Sequence, residues 1–223
     1  MKAVLFDLDG TLIDTAADFI RILQQMCREK GGEVVDAALI RTQVSEGARA
    51  MVKLVYPELD AEDPVFLAHR QRFLDIYGAE IAVDTALFDG MQALLQELES
   101  RSIPWGIVTN KPRNLSESLL EALNLQQRCS VLVCPDDVTH AKPHPEPMFL
   151  AAKQLQIDPE QIIYVGDHPR DIEAGRNADM YTILAAYGYL PEQHRDDLQA
   201  WQADCIIDTV QQLHHVLQQQ LAI

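Results

Sequence analysis

The sequence predicts an α/β fold, a doubly wound parallel sheet carrying an inserted all-helical segment. Three observations lead there. Short, continuous apolar runs recur along the chain, each ending in a polar or charged cluster. Amphipathic stretches of helical period separate them, the alternation expected of βαβ units. One stretch, residues 15–83, shows helical patterning alone.

The first run, Ala3 to Phe6, leads into Asp7. In the insert, Phe19, Ile20, Leu23, Met26 and Cys27 mark one face of a helix closed by Gly31-Gly32. Two further helices begin at Asp36 and Ser45, and Asp63-Pro64 opens a fourth with Phe66, Leu67, Phe73, Leu74 and Tyr77. Beyond the insert, Asp89 is the candidate N-cap of a helix over Gly90 to Ser100, with Met91, Leu94, Leu95 and Leu98 on its apolar face. Ile103 to Val108 then runs into Thr109-Asn110-Lys111, and a helix over Leu115 to Leu123 follows Asn114. Val131 to Cys134 leads through Pro135-Asp136-Asp137 toward Lys142, and a helix over Pro145 to Leu155 opens with prolines, which a first turn tolerates. Ile162 to Val165 meets Gly166-Asp167, Thr182 to Ala186 meets Tyr187-Gly188-Tyr189, and the glutamine-rich Gln211 to Gln219 reads as a terminal amphipathic helix. Apolar runs of this kind are strands buried on both faces. Parallel sheets bind ligands at the carboxyl ends of their strands, where these polar clusters fall. The division that follows is a core of residues 1–14 and 84–223 and a helical body of residues 15–83.

Composition narrows the function. The chain has 223 residues, 48% hydrophobic and 23% charged, enough for a core of ordinary size. Its formal charge of −16 and pI near 4.7 argue against nucleic-acid or anionic-membrane partners, because phosphates would be repelled. Cys27, Cys129, Cys134 and Cys205 form no CxxC pair, which points to reduced thiols in a cytoplasm. The apolar run at the N-terminus is too short for a signal peptide, and none is long enough to cross a bilayer. An acidic protein acting on a phosphate must gather positive charge locally, from a metal ion or a few placed cations.

Asp7-Leu8-Asp9-Gly10-Thr11 supplies the chemistry. Alternation along an extended backbone sets Asp7 and Asp9 on one side. Two acids so close repel unless a cation intervenes. That suits a nucleophile beside a general acid/base, with a divalent metal neutralising the pair. A calcium loop also begins D-x-D, but its sixth position would be Gly where this chain has Leu12, its twelfth is Asp18, and a strand precedes it.

With these residues the chain resembles the haloacid dehalogenase superfamily, whose four motifs span nearly its whole length. Asp7 to Leu12 matches the first, Val108-Thr109-Asn110 the second, Lys142-Pro143 the third and Gly166-Asp167 with Asp171 the fourth. The resemblance implies a Rossmann-like core with a helical cap, and a phosphatase acting on a small phosphate monoester. In it Asp7 forms an aspartyl-phosphate, and Asp9 protonates the leaving alcohol and then activates water. Thr109 and Asn110 hold phosphate oxygens, and Lys142 bridges nucleophile and phosphoryl group. Mg2+ is bound by Asp7, Asp9 through its carbonyl, and Asp167, with Asp171 in support. Asp9 disfavours dehalogenation, which has no leaving alcohol to protonate.

Within the superfamily the chain is similar to phosphoglycolate phosphatases through Val108 to Pro112, Gly166 to Met180 and Tyr187-Gly188-Tyr189. It is similar to N-acetylmuramic acid 6-phosphate phosphatases through Leu87 to Met91, Glu46 to Val52 and Cys134-Pro135-Asp136. A phosphomutase of the β-phosphoglucomutase type shares these motifs, and an inactive binding module is the alternative outside enzymes. The partner is then a small phosphate ester, the assembly a monomer or homodimer. Arg49, at a helix start in mid-cap, reads either as a bidentate carboxylate ligand or as an exposed helical arginine. His168 reads as a partly exposed histidine at a helix start, with a substrate or metal contact as the other reading. Asp171 alone would read as a helix cap, and Tyr187 and Tyr189 as packing residues. His140 and His144 flank Lys142 in the manner of zinc ligands, but no clear third and fourth ligands follow them.

Overall fold

Alternation along β1 (Ala3–Phe6) sets the layering of the computed structural model, which describes residues 1–191 and 197–221. Val4 and Phe6 face one side of the sheet, against α5 (Met91–Ser100), α6 (Arg113–Ala122) and α9 (Val210–Leu221). Ala3 and Leu5 face the other, against α7 (Glu146–Leu155) and α8 (Pro169–Asn177). Every residue of β1 is buried, as a strand covered on both faces requires.

The sheet is parallel and six-stranded, in the order β5-β4-β1-β6-β7-β8. Its other members are β4 (Trp105–Val108), β5 (Leu132–Val133), β6 (Ile162–Gly166), β7 (Tyr181–Ala185) and β8 (Cys205–Ile207). The edge strand β8 has no counterpart in the apolar-run reading, since three residues show no period. β4 begins at Trp105 rather than Ile103, because Pro104 has no N–H to give a neighbour; its carbonyl instead accepts from the Val4 N–H.

The chain leaves the core through β2 (Ile13–Asp14) and returns through β3 (Ala86–Leu87), which pair antiparallel as a two-stranded neck. Between them lie α1 (Ala16–Lys30), α2 (Ala37–Gln43), α3 (Ala48–Val55) and α4 (Pro64–Ala79). These four helices bury their own cluster, with Phe19, Ile22, Met26, Val52, Phe66, Phe73 and Tyr77 at its centre. Leu67, read from the sequence as part of that face, is exposed. Gly31 closes α1 in the left-handed conformation, and the Asp63 carboxylate caps α4 at the Val65 N–H. Asp89 does not cap α5; that place is taken by Gly90, at a φ of 84° that favours glycine. α6 likewise starts at Arg113, directly after Pro112, rather than after Asn114. No helix among the described residues is long and apolar enough to cross a membrane, and all four cysteines are unpaired.

Candidate active site

The chain moves from β1 to β4 on one side and returns later to β6 on the other, so the crevice above β1 is the switch point of the sheet. Asp7, Thr109 and Asp167 each follow the last residue of one of these three neighbouring strands. The turn after β1 is tight because Gly10 takes a φ of 84°. A side chain there, or at Gly188, would collide with the Asp167 carboxylate packed against both.

Asp7, Asp167 and Asp171 are brought together, with ligand atoms all within 4.8 Å of one another. One buried ammonium faces them. Lys142 Nζ lies 2.9 Å from Asp7 Oδ1 and 2.7 Å from Asp171 Oδ1. It also donates to the Val108 carbonyl and the Tyr164 hydroxyl, each at 2.9 Å. Three hydrogens therefore already have three acceptors, and Asp7 Oδ1 is held by charge with no directed hydrogen bond. Asp171 works in two directions: Oδ2 accepts the His168 N–H at the start of α8, while Oδ1 orients Lys142. Helix cap and lysine anchor are one carboxylate.

The electrostatics of this cluster follow from burial. Desolvation, opposed by Lys142 and reinforced by Asp171, raises the Asp7 pKa to about 6. Asp167 is raised further, to about 8, first by burial and then by the charges of Asp7 and Asp171. The Tyr189 N–H, at 2.8 Å, and the Ser45 hydroxyl, at 3.0 Å, only partly offset this. Three buried carboxylates have one ammonium among them, and Asp7 Oδ1 accepts no hydrogen bond among the described residues. That all-oxygen, cation-deficient set fits Mg2+.

Asp9 points elsewhere. Its carboxylate accepts from Thr15 Oγ1 at 2.7 Å and lies 3.1 Å from Lys111 Nζ. Lys111 is buried, with its ammonium 4.5 Å from the Tyr77 ring centre and 5.0 Å from that of Phe19, on α4 and α1 of the helical body. Burial pulls its pKa down, but Asp9 and Tyr77 outweigh this and hold it above the usual lysine value. Thr109 Oγ1 accepts the Lys111 N–H, and Asn110 Nδ2 donates to the Lys142 carbonyl, fixing the two loops together. Asp7, Asp9, Thr109, Asn110, Lys111 and Lys142 open onto one cavity of about 370 Å³ whose opposite wall is the helical body. A nucleophile, an acid/base two residues on, and flanking cations suit phosphoryl transfer.

A family model for haloacid dehalogenase-like hydrolases matches residues 4–185. The chain belongs to that family. This hydrolase is 45% identical to an N-acetylmuramic acid 6-phosphate phosphatase of Pseudomonas putida, over 97% of this chain and 96% of that one. It is 42% identical to a phosphoglycolate phosphatase of Xanthomonas campestris, over 95% and 94%. A haloacid dehalogenase-like hydrolase structure from Streptococcus pneumoniae superposes with a TM-score of 0.80 at 24% identity, covering 98% of this chain and 99% of that one, which speaks to the fold alone. By family and by these relatives the hydrolase is a phosphatase.

Several residues sit otherwise than the sequence suggests. His168 is buried, not partly exposed: its Nδ1 accepts from the Arg170 N–H, and its Nε2 lies 3.1 Å from Glu46 in the helical body. Burial first, then Arg170, lowers its pKa, so the neutral ring is favoured. Arg49 reaches the cavity rim but is half-exposed and ion-paired with Glu62. Tyr189 does more than pack, since its hydroxyl lies 2.6 Å from Asp14 and its N–H anchors Asp167, while the Tyr187 hydroxyl donates to the Thr11 carbonyl. Glu146 supplies the third ligand that His140 and His144 lack in the sequence, but its oxygens already accept the Thr139 and His140 N–H groups at an exposed turn. Two residues carry no role in the sequence reading: Lys111, beside Asp9, and Arg70 on α4, which lines the cavity. The Lys111 signal was its place immediately after Thr109-Asn110; nothing local marks Arg70.

Proposed function

We propose that this phosphatase hydrolyses N-acetylmuramic acid 6-phosphate through an aspartyl-phosphate on Asp7, with residues 15–83 as the cap over the site. The observation that carries the sugar phosphate is the cavity. Its volume of about 370 Å³ above Asp7 suits a hexosamine, where phosphoglycolate has two carbons. The named activity of the Pseudomonas relatives supports the same choice.

Asp7 attacks phosphorus as the ester P–O bond breaks, and Asp9 passes a proton to the departing sugar oxygen. Water then attacks the phosphoenzyme while Asp9 takes its proton, releasing phosphate and restoring the Asp7 carboxylate. Lys142 offsets the repulsion between Asp7 and the phosphoryl oxygens, and Thr109 with Asn110 holds those oxygens. Asp7, Asp167 and the Asp9 carbonyl would hold Mg2+, with Asp171 positioning Lys142 beside it. The ion supplies further neutralisation of the transferring group. The closed cap excludes water from the first half-reaction.

The test compares kcat/KM for N-acetylmuramic acid 6-phosphate, phosphoglycolate and glucose phosphates, with phosphate release and isomer formation both followed. Preference for the acid sugar with no isomerised product is expected. Preference for phosphoglycolate, the substrate in the name of the Xanthomonas relative, replaces the substrate, and an isomer makes the protein a mutase. Asp7→Asn should abolish turnover with magnesium present. Retained activity removes Asp7 as nucleophile.

A further inference from the structure

The cavity is lined by five Lys and Arg side chains, and four are committed. Lys142 is held by Asp7 and Asp171, Lys111 by Asp9, Arg170 by Glu46, and Arg49 by Glu62. Arg70 is the fifth. Among the described residues it has no hydrogen bond or ion pair, although it is only half-exposed. In a protein of charge −16 with ample carboxylates, an unpaired guanidinium facing a cavity is poised for an anion from outside.

Its place along α4 says which anion. Arg70, Phe73, Leu74 and Tyr77 all line the cavity, and their spacing makes them one stripe of α4. Tyr77 marks the floor, stacked over the ammonium that pairs with Asp9. Arg70 lies seven residues nearer the N-terminus, about 10 Å along the axis, and helical side chains lean that same way. With bonds near 1.5 Å, the carboxylate of phosphoglycolate stays within about 4 Å of its phosphorus. The lactyl carboxylate of N-acetylmuramic acid, across the ring from the 6-phosphate, reaches about 8–10 Å. The second distance matches the stripe, and Phe73 and Leu74 give apolar surface to the ring between the two charged ends.

We infer that Arg70 binds the lactyl carboxylate and so selects the acid sugar phosphate over neutral sugar phosphates. This rests on the sugar-phosphate reading above, and the test separates the two. Wild type, Arg70→Gln and Arg70→Lys are assayed on N-acetylmuramic acid 6-phosphate, N-acetylglucosamine 6-phosphate and phosphoglycolate. Arg70→Gln should lose roughly 10- to 100-fold more kcat/KM on the acid sugar than on the neutral one, chiefly through KM, as expected for a charged hydrogen bond. Arg70→Lys should recover part of that ratio, and unchanged melting curves show that the fold is intact. Equal losses on both sugars, or none, overturn the role of Arg70. A wild-type preference for phosphoglycolate overturns the substrate alone, because the ratio between the sugars still reads Arg70 directly.

Discussion

Lys111→Met isolates the contribution of the ion pair at Asp9, the proposed acid/base. Methionine keeps the apolar stem and removes the charge. At 3.1 Å, the attraction to Asp9 is about 5 kcal/mol at an effective dielectric of ~20. The cost of burying the ammonium offsets much of it, but removing one partner of a buried pair leaves the other uncompensated, at about 3–5 kcal/mol. Asp9 is 17% exposed in its side chain and keeps the Thr15 hydroxyl, which places this case at or just below that range, about 2–3 kcal/mol. For a chain of this size that is a fall in Tm of roughly 5–10 °C, read by differential scanning fluorimetry. The kinetic signature is more specific. Asp9 released from Lys111 loses its alignment with the leaving oxygen, so kcat/KM on a sugar phosphate should fall by roughly 10- to 100-fold, a part of what general acid catalysis provides. p-Nitrophenyl phosphate has a leaving group that needs no proton, and its kcat/KM should fall much less. Equal losses on the two substrates, or an unchanged Tm, would refute the assignment.

The buried carboxylates predict an unusual pH response. Asp7, near 6, and Asp167, near 8, are raised above their unfolded values, so the folded protein holds protons that the unfolded chain releases. Metal-free stability should therefore fall as pH rises from about 4 to about 8, and magnesium should flatten that fall. Melting temperatures that rise across this window, indifferent to magnesium, would contradict the metal assignment. Asp18 works in the opposite sense. Burial alone would raise its pKa, but the Thr85 hydroxyl at 2.6 Å, Arg21 at 2.8 Å and the Asp84 N–H at 3.0 Å win and lower it. Its stabilisation is present above its unfolded pKa and lost as pH falls through the folded value. Asp18→Asn sets an NH2 among three donors, so it should cost about 2–3 kcal/mol and flatten the acid limb of the stability curve. An unaltered limb would show that this link between α1 and the neck contributes nothing.

What could be read from the chain depended on the range of the interactions. Asp7, Thr109 and Asp167 stood out because each follows an apolar strand directly, and a parallel sheet brings such ends together without further information. The burial of His168 was not visible, since Glu46, which closes over it, lies 122 residues away. Lys111 likewise owes its environment to Asp9, 102 residues distant, and to two rings on α1 and α4. Strands of two or three residues, such as β2, β3 and β8, carry no period at all. The helical body shows the same limit most sharply. Arg49 attracted attention because it opens a helix, yet Glu62 on the next loop takes its charge. Arg70 is ordinary in mid-helix by sequence, and only the absence of a partner among the described residues and its place on the stripe with Tyr77 distinguish it. Phosphoryl chemistry needs groups within hydrogen-bond reach of one atom, which strand ends supply locally. Selecting a substrate by a second charge some 10 Å away needs a helix held in fixed register beside the site, and that register depends on how the neck and the helical body pack. Changing Arg70 should therefore alter which ester is chosen, while changing Lys111 alters how fast any ester with a poor leaving group is cleaved.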